Sequence, residues 1–332
     1  MKKILLSLLL TIIYTQGTFS GVTYFDYTYD LTEDAENDDG FGLKRVYFTY
    51  HKELSETISY KFQTDVGQLE VGDFDDDNQI EGTKKTQFVA YLKKAQLDWE
   101  TLYGKLTFGM QGMNIFNVTE KTWGFRFLQK SAIDKYKLSS SADMGIKYAG
   151  KFNKLNYSIM VTNGSGYKQS ENDQYKKTSI QVVYGEKKLV KNDGFNIGLS
   201  FASEPYDHIE TEKAATMLLS VYSGYAANGL RIGAEYDRYR DVGEDISKQI
   251  IAGYISYELS EKIEGIFYID NFDSDVYYNG NENEDLIRKT DLIVGVNYKP
   301  EKGLTIAPNL RISTPDEGDI NTLFMLNFEF KF

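Results

Sequence analysis

Residues 102–150 read LYGKLTFGMQGMNIFNVTEKTWGFRFLQKSAIDKYKLSSSADMGIKYAG. The two ends, 102–110 and 141–150, alternate with the period of two that marks β-strands. The middle, 111–141, does not alternate over its length and is too long for a hairpin turn. It gathers Trp123, Phe125 and Phe127 with Lys121, Arg126, Lys130, Lys135 and Lys137. An irregular segment of this size in a compact chain is either functional or disordered, and one this rich in aromatics is poorly suited to disorder. It reads as a loop packed inside something hollow.

Outward from this stretch the chain is a series of short alternating segments. Sixteen can be read, at 22–29, 42–53, 56–67, 87–99, 102–110, 142–149, 153–163, 175–185, 194–203, 214–223, 228–239, 247–258, 262–271, 287–298, 303–313 and 320–332. In the third, Ile58, Tyr60, Phe62, Thr64 and Val66 share one face, and Ser59, Lys61, Gln63 and Asp65 the other. In the eleventh, Leu230, Ile232, Ala234 and Tyr236 oppose Arg231, Gly233, Glu235 and Asp237. In the fourth, Lys93 and Lys94 are adjacent, so one of them must sit near an end or a bulge.

The first twenty residues carry a different signal. Lys2 and Lys3 precede the apolar run Leu5–Ile13, which has the length of a signal-peptide core and is too short to span a bilayer. Cleavage near Ser20 would leave a barrel-forming chain of 21–332, with 1–20 as the signal peptide. The chain has 26 Tyr, 20 Phe and 28 Gly but only four Pro and no Cys. Zero Cys excludes disulfide scaffolds and thiolate metal sites. Two His, His51 and His208, are too few to build an imidazole metal centre. A formal charge of −12, with both signs abundant, argues against a nucleic-acid partner.

A soluble sandwich would alternate too, with apolar residues inside. Three features favour a membrane barrel instead. The segments are long and uniform. Aromatics cluster near their ends: Tyr47-Phe48-Thr49-Tyr50, Trp99 with Tyr103, Tyr254 with Tyr257, and Phe328 with Phe330. The links also divide into two classes. LS, ET, GKF, LSE and KPEK are short, whereas the links after the first, third, fifth, seventh, ninth and thirteenth segments are long and mostly acidic. The link EKKLVKNDG, after the eighth segment, breaks that rule.

In hydrocarbon every backbone group must be paired internally, which strands achieve only by closing. The expected fold is all-β: a transmembrane antiparallel β-barrel of about 16 strands, with an inward-folded constriction loop at 111–141 between strands 5 and 6. Such a barrel leaves an aqueous lumen. Its wall would present Arg45, Lys61, Asp65, Lys105, Lys147, Arg231, Glu235, Glu264, Arg311 and Glu329 inward. Trp123, Phe125 and Phe127 would anchor the loop. Lys121, Arg126, Lys130 and Lys135 would line the passage and bias it toward anions, with Arg126 and Lys130 on one face if they share a helical turn. The alternative is that these cations only pair with Glu120, Asp134 and wall carboxylates, holding the loop still. Asp73, Asp75 and Asp77 have the alternate spacing of a calcium loop, but Asn78 and Lys84 stand where such a loop needs Gly and Glu. No confident metal site follows, and no cofactor is implied.

The stretch from Leu102 to Tyr136, followed by SSADMGIKY, resembles the bacterial outer-membrane porins related to phosphate-selective porins O and P, most specifically from Trp123 to Gly145. The terminal Phe332 is similar to the residue by which such barrels meet the outer-membrane assembly machinery. The resemblance implies a passive channel, commonly trimeric, with sixteen strands and an inward third loop. Its phosphate-selective members carry a ladder of arginines. Here Arg45, Arg126, Arg231 and Arg311 are scattered, so the expectation is a general or weakly selective porin for small hydrophilic solutes, with lipids and lipopolysaccharide as its surroundings. Two other classes stay open. A barrel hydrolase would use Asp65 or Glu264 with His51 or His208, though nothing specifies a nucleophile. A plugged barrel would serve as an adhesin or anchor.

Overall fold

The computed structural model describes residues 16–33, 39–74, 80–171, 173–209, 212–274, 276 and 287–332, the backbone alone at 68–74, 80–86 and 212. Sixteen strands account for most of them: β1 Thr18–Asp30, β2 Gly40–Glu53, β3 Ile58–Phe74, β4 Ile80–Thr101, β5 Gly104–Gly112, β6 Ala142–Phe152, β7 Leu155–Thr162, β8 Lys177–Gly185, β9 Gly194–His208, β10 Glu212–Ala227, β11 Leu230–Asp241, β12 Ile246–Ser260, β13 Ile263–Asp273, β14 Arg288–Tyr298, β15 Leu304–Pro315 and β16 Asn321–Lys331. Each pairs antiparallel with its sequence neighbours, and β1 pairs with β16, from Val22 opposite Lys331 to Asp30 opposite Leu323. The sheet is a closed barrel, with no free edge to manage.

Burial along the strands is inverted relative to a soluble protein. In β11, Arg231, Glu235 and Asp237 are buried while Ile232 is exposed. In β9, Phe195, Ile197, Leu199 and Phe201 are exposed while Asn196 and Ser200 are buried. Period-two alternation therefore places apolar side chains outward and polar ones inward, as a barrel in lipid requires. The outward set near the short turns is aromatic: Trp99, Tyr103, Phe152, Tyr184, Phe195, Tyr257, Tyr298 and Phe330. Tyr254 does not join this girdle. It has the opposite parity to Tyr257 and is buried against Trp123.

Two bulges change which side chains face inward. The β3–β4 register shifts between Gln63, opposite Lys94, and Thr64, opposite Leu92, leaving Lys93 as the extra residue. The β1–β2 register shifts between Tyr24, opposite Arg45, and Phe25, opposite Leu43, leaving Lys44 as the extra residue. In an unbroken strand one member of each basic pair would face lipid. The bulge re-aims it, so Lys93 with Lys94, and Lys44 with Arg45, all line interior cavities.

The links on one rim are short: 54–57, 102–103, 153–154, 228–229, 261–262 and 299–303, with 186–193 longer. On the other rim, two links expected as long loops are mostly strand. β3 and β4 extend to Phe74 and from Ile80, and β9 and β10 extend to His208 and from Glu212. Ladder pairing uses backbone groups, so hairpins can continue through acidic, water-facing sequence once the register is set. Asp75 and Asp77 of the possible calcium loop lie outside the described residues, and Asp73 sits in β3.

Candidate functional site: the segment between β5 and β6

Residues 113–141 form two short helices, α1 Asn117–Trp123 and α2 Ala132–Lys135, joined and flanked by turns. The segment carries a dense apolar set: Met113, Ile115, Phe116, Val118, Trp123, Phe125, Phe127, Leu128, Ala132, Ile133 and Leu138 are all buried. A seven-residue helix is marginal alone. Its stability comes from the wall. Trp123 packs against Tyr254 and Tyr268, at ring-centroid distances of 5.2 and 5.0 Å, and donates its Nε1–H to the Gln129 carbonyl at 2.8 Å. The Arg231 guanidinium stands 4.7 Å from the ring centre of Phe125, and Phe127 packs by Tyr24.

Polar anchors run round the wall. Ser179 of β8 donates to Asn114 Oδ1 at 2.7 Å, and Asn196 of β9 donates to Thr122 Oγ1 at 3.3 Å. Arg231 of β11 donates to the Trp123 carbonyl at 3.2 Å, and Tyr254 of β12 to that of Thr119 at 3.3 Å. Arg311 of β15 donates to the Leu128 carbonyl at 2.8 Å, and Asn327 of β16 to that of Phe127 at 3.4 Å. In a ring of sixteen, the strands opposite β5 and β6 are β13 and β14. Lys135 reaches both, pairing with Asp270 at 2.7 Å and Asp291 at 2.6 Å. Tyr136 stacks on Phe272 at 4.0 Å and donates to Asp270 at 2.6 Å.

The cations of the segment divide. Arg126 pairs with Glu120 and, at 2.6 Å, with Asp134. Burial opposes its charge, but Glu120, Tyr47 and Asp134 outweigh it and hold its pKa well above the ordinary value. Burial also opposes the Asp134 charge, yet Arg126 and Lys130 hold its carboxyl below the usual range. Lys121 has no ion pair among the described residues; burial, then Lys187 and Lys188, pull its pKa down. Burial likewise pulls down Lys130, with Arg45 and Arg126 adding to it and Asp134 opposing. Residues 126–130 form a turn rather than a helix, so Arg126 and Lys130 share a cavity without sharing a helical face.

Two cavities meet at Arg126 and Tyr24. One, of about 420 Å³, is lined by Asp26, Lys44, Arg45, Lys130, Lys135 and Arg311 among others. The second, of about 460 Å³, lies between α1 and the β2–β6 wall and gathers Lys61, Lys93, Lys94, Lys121 and Lys147. Lys93 pairs with Asp65 at 3.3 Å, and Arg45 with Asp65 at 3.4 Å. Lys61, Lys94, Lys121 and Lys147 have no carboxylate oxygen within 4.0 Å among the described residues. Lys105 pairs with Glu100 near the short turns. Arg231, Glu235, Glu264 and Arg311 face inward but lie among the segment's contacts: Arg231 pairs with Glu264 at 3.4 Å, Lys299 with Glu264 at 3.0 Å, and Glu235 is buried. Lys93 and Lys94 were readable only as a bulge signal; Lys44, missed in the sequence, carries the same signal beside Arg45, and Asp270, Asp291 and Asn114 carried none of their own.

Comparison with known proteins places this geometry. The family model described as phosphate-selective porin O and P matches residues 18–237, more than half of the chain. The chain belongs to that family. It is a porin-type β-barrel of the bacterial outer membrane, a channel for passive solute diffusion rather than an enzyme. No curated protein matches its sequence. Among solved structures, the loop L8 deletion mutant of OmpT from Vibrio cholerae is 13% identical, with 96% of this chain and 100% of that one covered and a TM-score of 0.67. An anion-selective porin from Comamonas acidovorans is 12% identical, with 96% and 100% covered and a TM-score of 0.66. The high-pH structure of OprB from Pseudomonas putida is 11% identical, with 98% and 96% covered and a TM-score of 0.64. At such identities these likenesses concern the fold. Residues 238–332, beyond the family match, complete the same closed ring.

The residues named for a hydrolase do not assemble. Asp65 is held by Arg45 and Lys93, and Glu264 by Arg231 and Lys299. His51 lies beside Glu53 near the short-turn rim, and His208 beside Glu244 at the other. Among the described residues, no group of three or more His, Cys, Asp or Glu is placed to hold a metal.

Proposed function

We propose that this porin prefers small hydrophilic anions, and that the 111–141 loop folds into the lumen and narrows it against the β2–β6 arc. The observation that carries the reading is the set of Lys61, Lys94, Lys121 and Lys147 around one cavity, without ion pairs among the described residues. Like charges gathered in a low-dielectric confine raise the local anion concentration and repel cations. The ion pair from Lys135 to the far wall supports the inward path of the segment. Arg126 and Lys135, both engaged by carboxylates, serve mainly to hold the segment; the unpaired lysines set selectivity. A homotrimer is the proposed assembly, supported by the trimer form of the similarly folded OmpT of Vibrio cholerae, and cross-linking in native membranes would test it.

The decisive measurement is the reversal potential of the refolded protein in planar bilayers under a salt gradient. The expected sign favours anions. Replacing Lys61, Lys94, Lys121 and Lys147 with Gln should lower the anion-to-cation permeability ratio by roughly tenfold, the low end of what a focused charged cleft contributes. A cation-preferring wild type would sink the reading. Well-folded barrels without conductance would favour the plugged-barrel alternative.

A further inference from the structure

The link between β8 and β9, residues 186–193, is the longest on the short-turn rim. It does not lie flat across that rim. Leu189 is 3% exposed, and its Cδ1 lies 2.8 Å from where a Cβ on Gly224 of β10 would stand. Val190 donates its backbone N–H to the Lys121 carbonyl at 3.1 Å. Its Cγ2 stands 2.5 Å from the Cβ position of Gly124.

Gly124 ends α1 in the left-handed region, φ +80°, with its N–H on the Glu120 carbonyl. Nη2 of Arg231 is 3.3 Å from the same Cβ position. The end of α1 therefore meets a turn valine and a wall arginine at a residue whose backbone angle and surroundings both demand glycine. The turn is braced in its own right. Asn196 donates to the Glu186 carbonyl at 2.8 Å, and the Lys191 and Asn192 N–H groups close on the Lys188 carbonyl. It also carries Lys187 and Lys188, both exposed and both acting on Lys121 electrostatically. The row of lysines along the passage thus continues to the rim.

We propose that residues 186–193 form a latch that seats the inner segment from the short-turn rim, with Leu189 and Val190 fixing α1 and Lys187 and Lys188 forming a collar that anions pass. The proposal rests on the reading of the segment as the constriction. The wall holds α1 at Thr119, Thr122 and Trp123, from β9, β11 and β12. The latch adds a hold from the rim, at Lys121 and Gly124, so it is a positioning element whose basic residues also act on selectivity.

The test uses the full refolded channel. In Leu189→Gly/Val190→Gly, amide exchange across 120–124 should quicken by roughly tenfold, equivalent to about 1.4 kcal/mol. Open-channel current should become noisier, while the reversal potential keeps its sign. In Lys187→Gln/Lys188→Gln, exchange should stay as in the wild type, and anion preference should fall more when the dilute side faces the short-turn rim. Wild-type exchange and noise in the first variant would overturn the latch. An unchanged reversal potential in both orientations in the second would overturn the collar. If the double glycine variant does not assemble, Val190→Ala replaces it: faster exchange across 120–124 supports the latch, and wild-type exchange overturns it. A shortened 111–141 segment that leaves conductance unchanged would instead overturn the constriction reading, which separates the two failures.

Discussion

The arc from β2 to β6 and the arc from β11 to β14 both turn charged side chains toward the inside, but those charges meet different partners. On the second arc, Asp270 and Asp291 accept Lys135, and Arg231 binds Glu264 and the Trp123 carbonyl. Much of the charge there holds a segment of the same chain, while Glu235 and Asp237 of β11 are buried without an ion pair among the described residues. On the first arc, Lys61, Lys94 and Lys147 face a cavity whose lining carboxylate, Glu120, is engaged by Arg126, and none of the three is in an ion pair among the described residues. The net charge of −12 would suggest a cation channel. On the reading proposed above, selectivity follows the unpaired charge along the passage rather than the sum, because the two members of an ion pair offset each other, and exposed charges more than a Debye length away, about 10 Å at 0.1 M salt, are largely screened.

Removing the segment is the most forceful way to break this comparison. Replacing 114–139 with a short Gly/Ser turn should raise single-channel conductance severalfold. It should also weaken anion preference, since the exposed carboxylates of β11–β14 would then face the same water as the lysines. A shortened variant with wild-type conductance would mean the segment does not narrow the bore.

Next in size is Lys135→Met. It strips Asp270, whose side chain is fully buried, of its ion pair, while Asp291 beside it keeps Lys289 at 3.2 Å. Breaking a buried pair by removing one partner costs about 3–5 kcal/mol, and here the cost falls on the seating of α2. Amide exchange across 132–138 should rise sharply. Adding Asp270→Asn and Asp291→Asn to that variant should restore much of the protection. If the triple variant exchanges as fast as the single one, the far-wall pair is not what holds α2.

The strands were legible because alternation is a local property: each run of apolar and polar residues reveals its own two faces. The hollow was legible too, from an aromatic-rich stretch that fits neither a strand nor a turn. Adjacency of Lys93 and Lys94 announced a bulge, and Lys44-Arg45 carries the same signal for the same reason. What the sequence could not reveal was pairing. Lys135 meets Asp270 only because the ring closes, and nothing near Lys135 distinguishes it from Lys121, which stays unpaired among the described residues. For Arg126, Lys130 and Lys135 the sequence left lining and pairing open: Glu120 and Asp134 were nameable as partners and do engage Arg126, whereas Asp270 and Asp291, which engage Lys135, lie on strands 135 or more residues away. The odd length of EKKLVKNDG was visible, whereas its grip on Gly124 depends on three-dimensional placement.

The smallest expected effect is the most discriminating, because it separates the two uses of charge by pH. Burial first, and then Lys187 and Lys188, lower the pKa of Lys121; burial, with Arg45 and Arg126, lowers that of Lys130. Both therefore lose their charge at a pH below the ordinary lysine value of about 10.4. Arg126 is held high and Asp134 low, so their pair persists across that range. Because the folded pKa of Asp134 is depressed, its stabilisation is present above the ordinary Asp value of about 3.9 and is lost only as pH falls through the lower, folded value. Alkaline titration should then erode anion preference while conductance, which on the proposed reading the seated segment sets, holds steady. Acid should do the reverse, loosening the segment while every lysine stays charged. Reversal potentials recorded between about pH 7 and about pH 10 should drift toward zero in the wild type and less in Lys121→Gln/Lys130→Gln. A drift of equal size in both would assign the alkaline change to the wall lysines and leave the segment with shape alone as its contribution to selectivity.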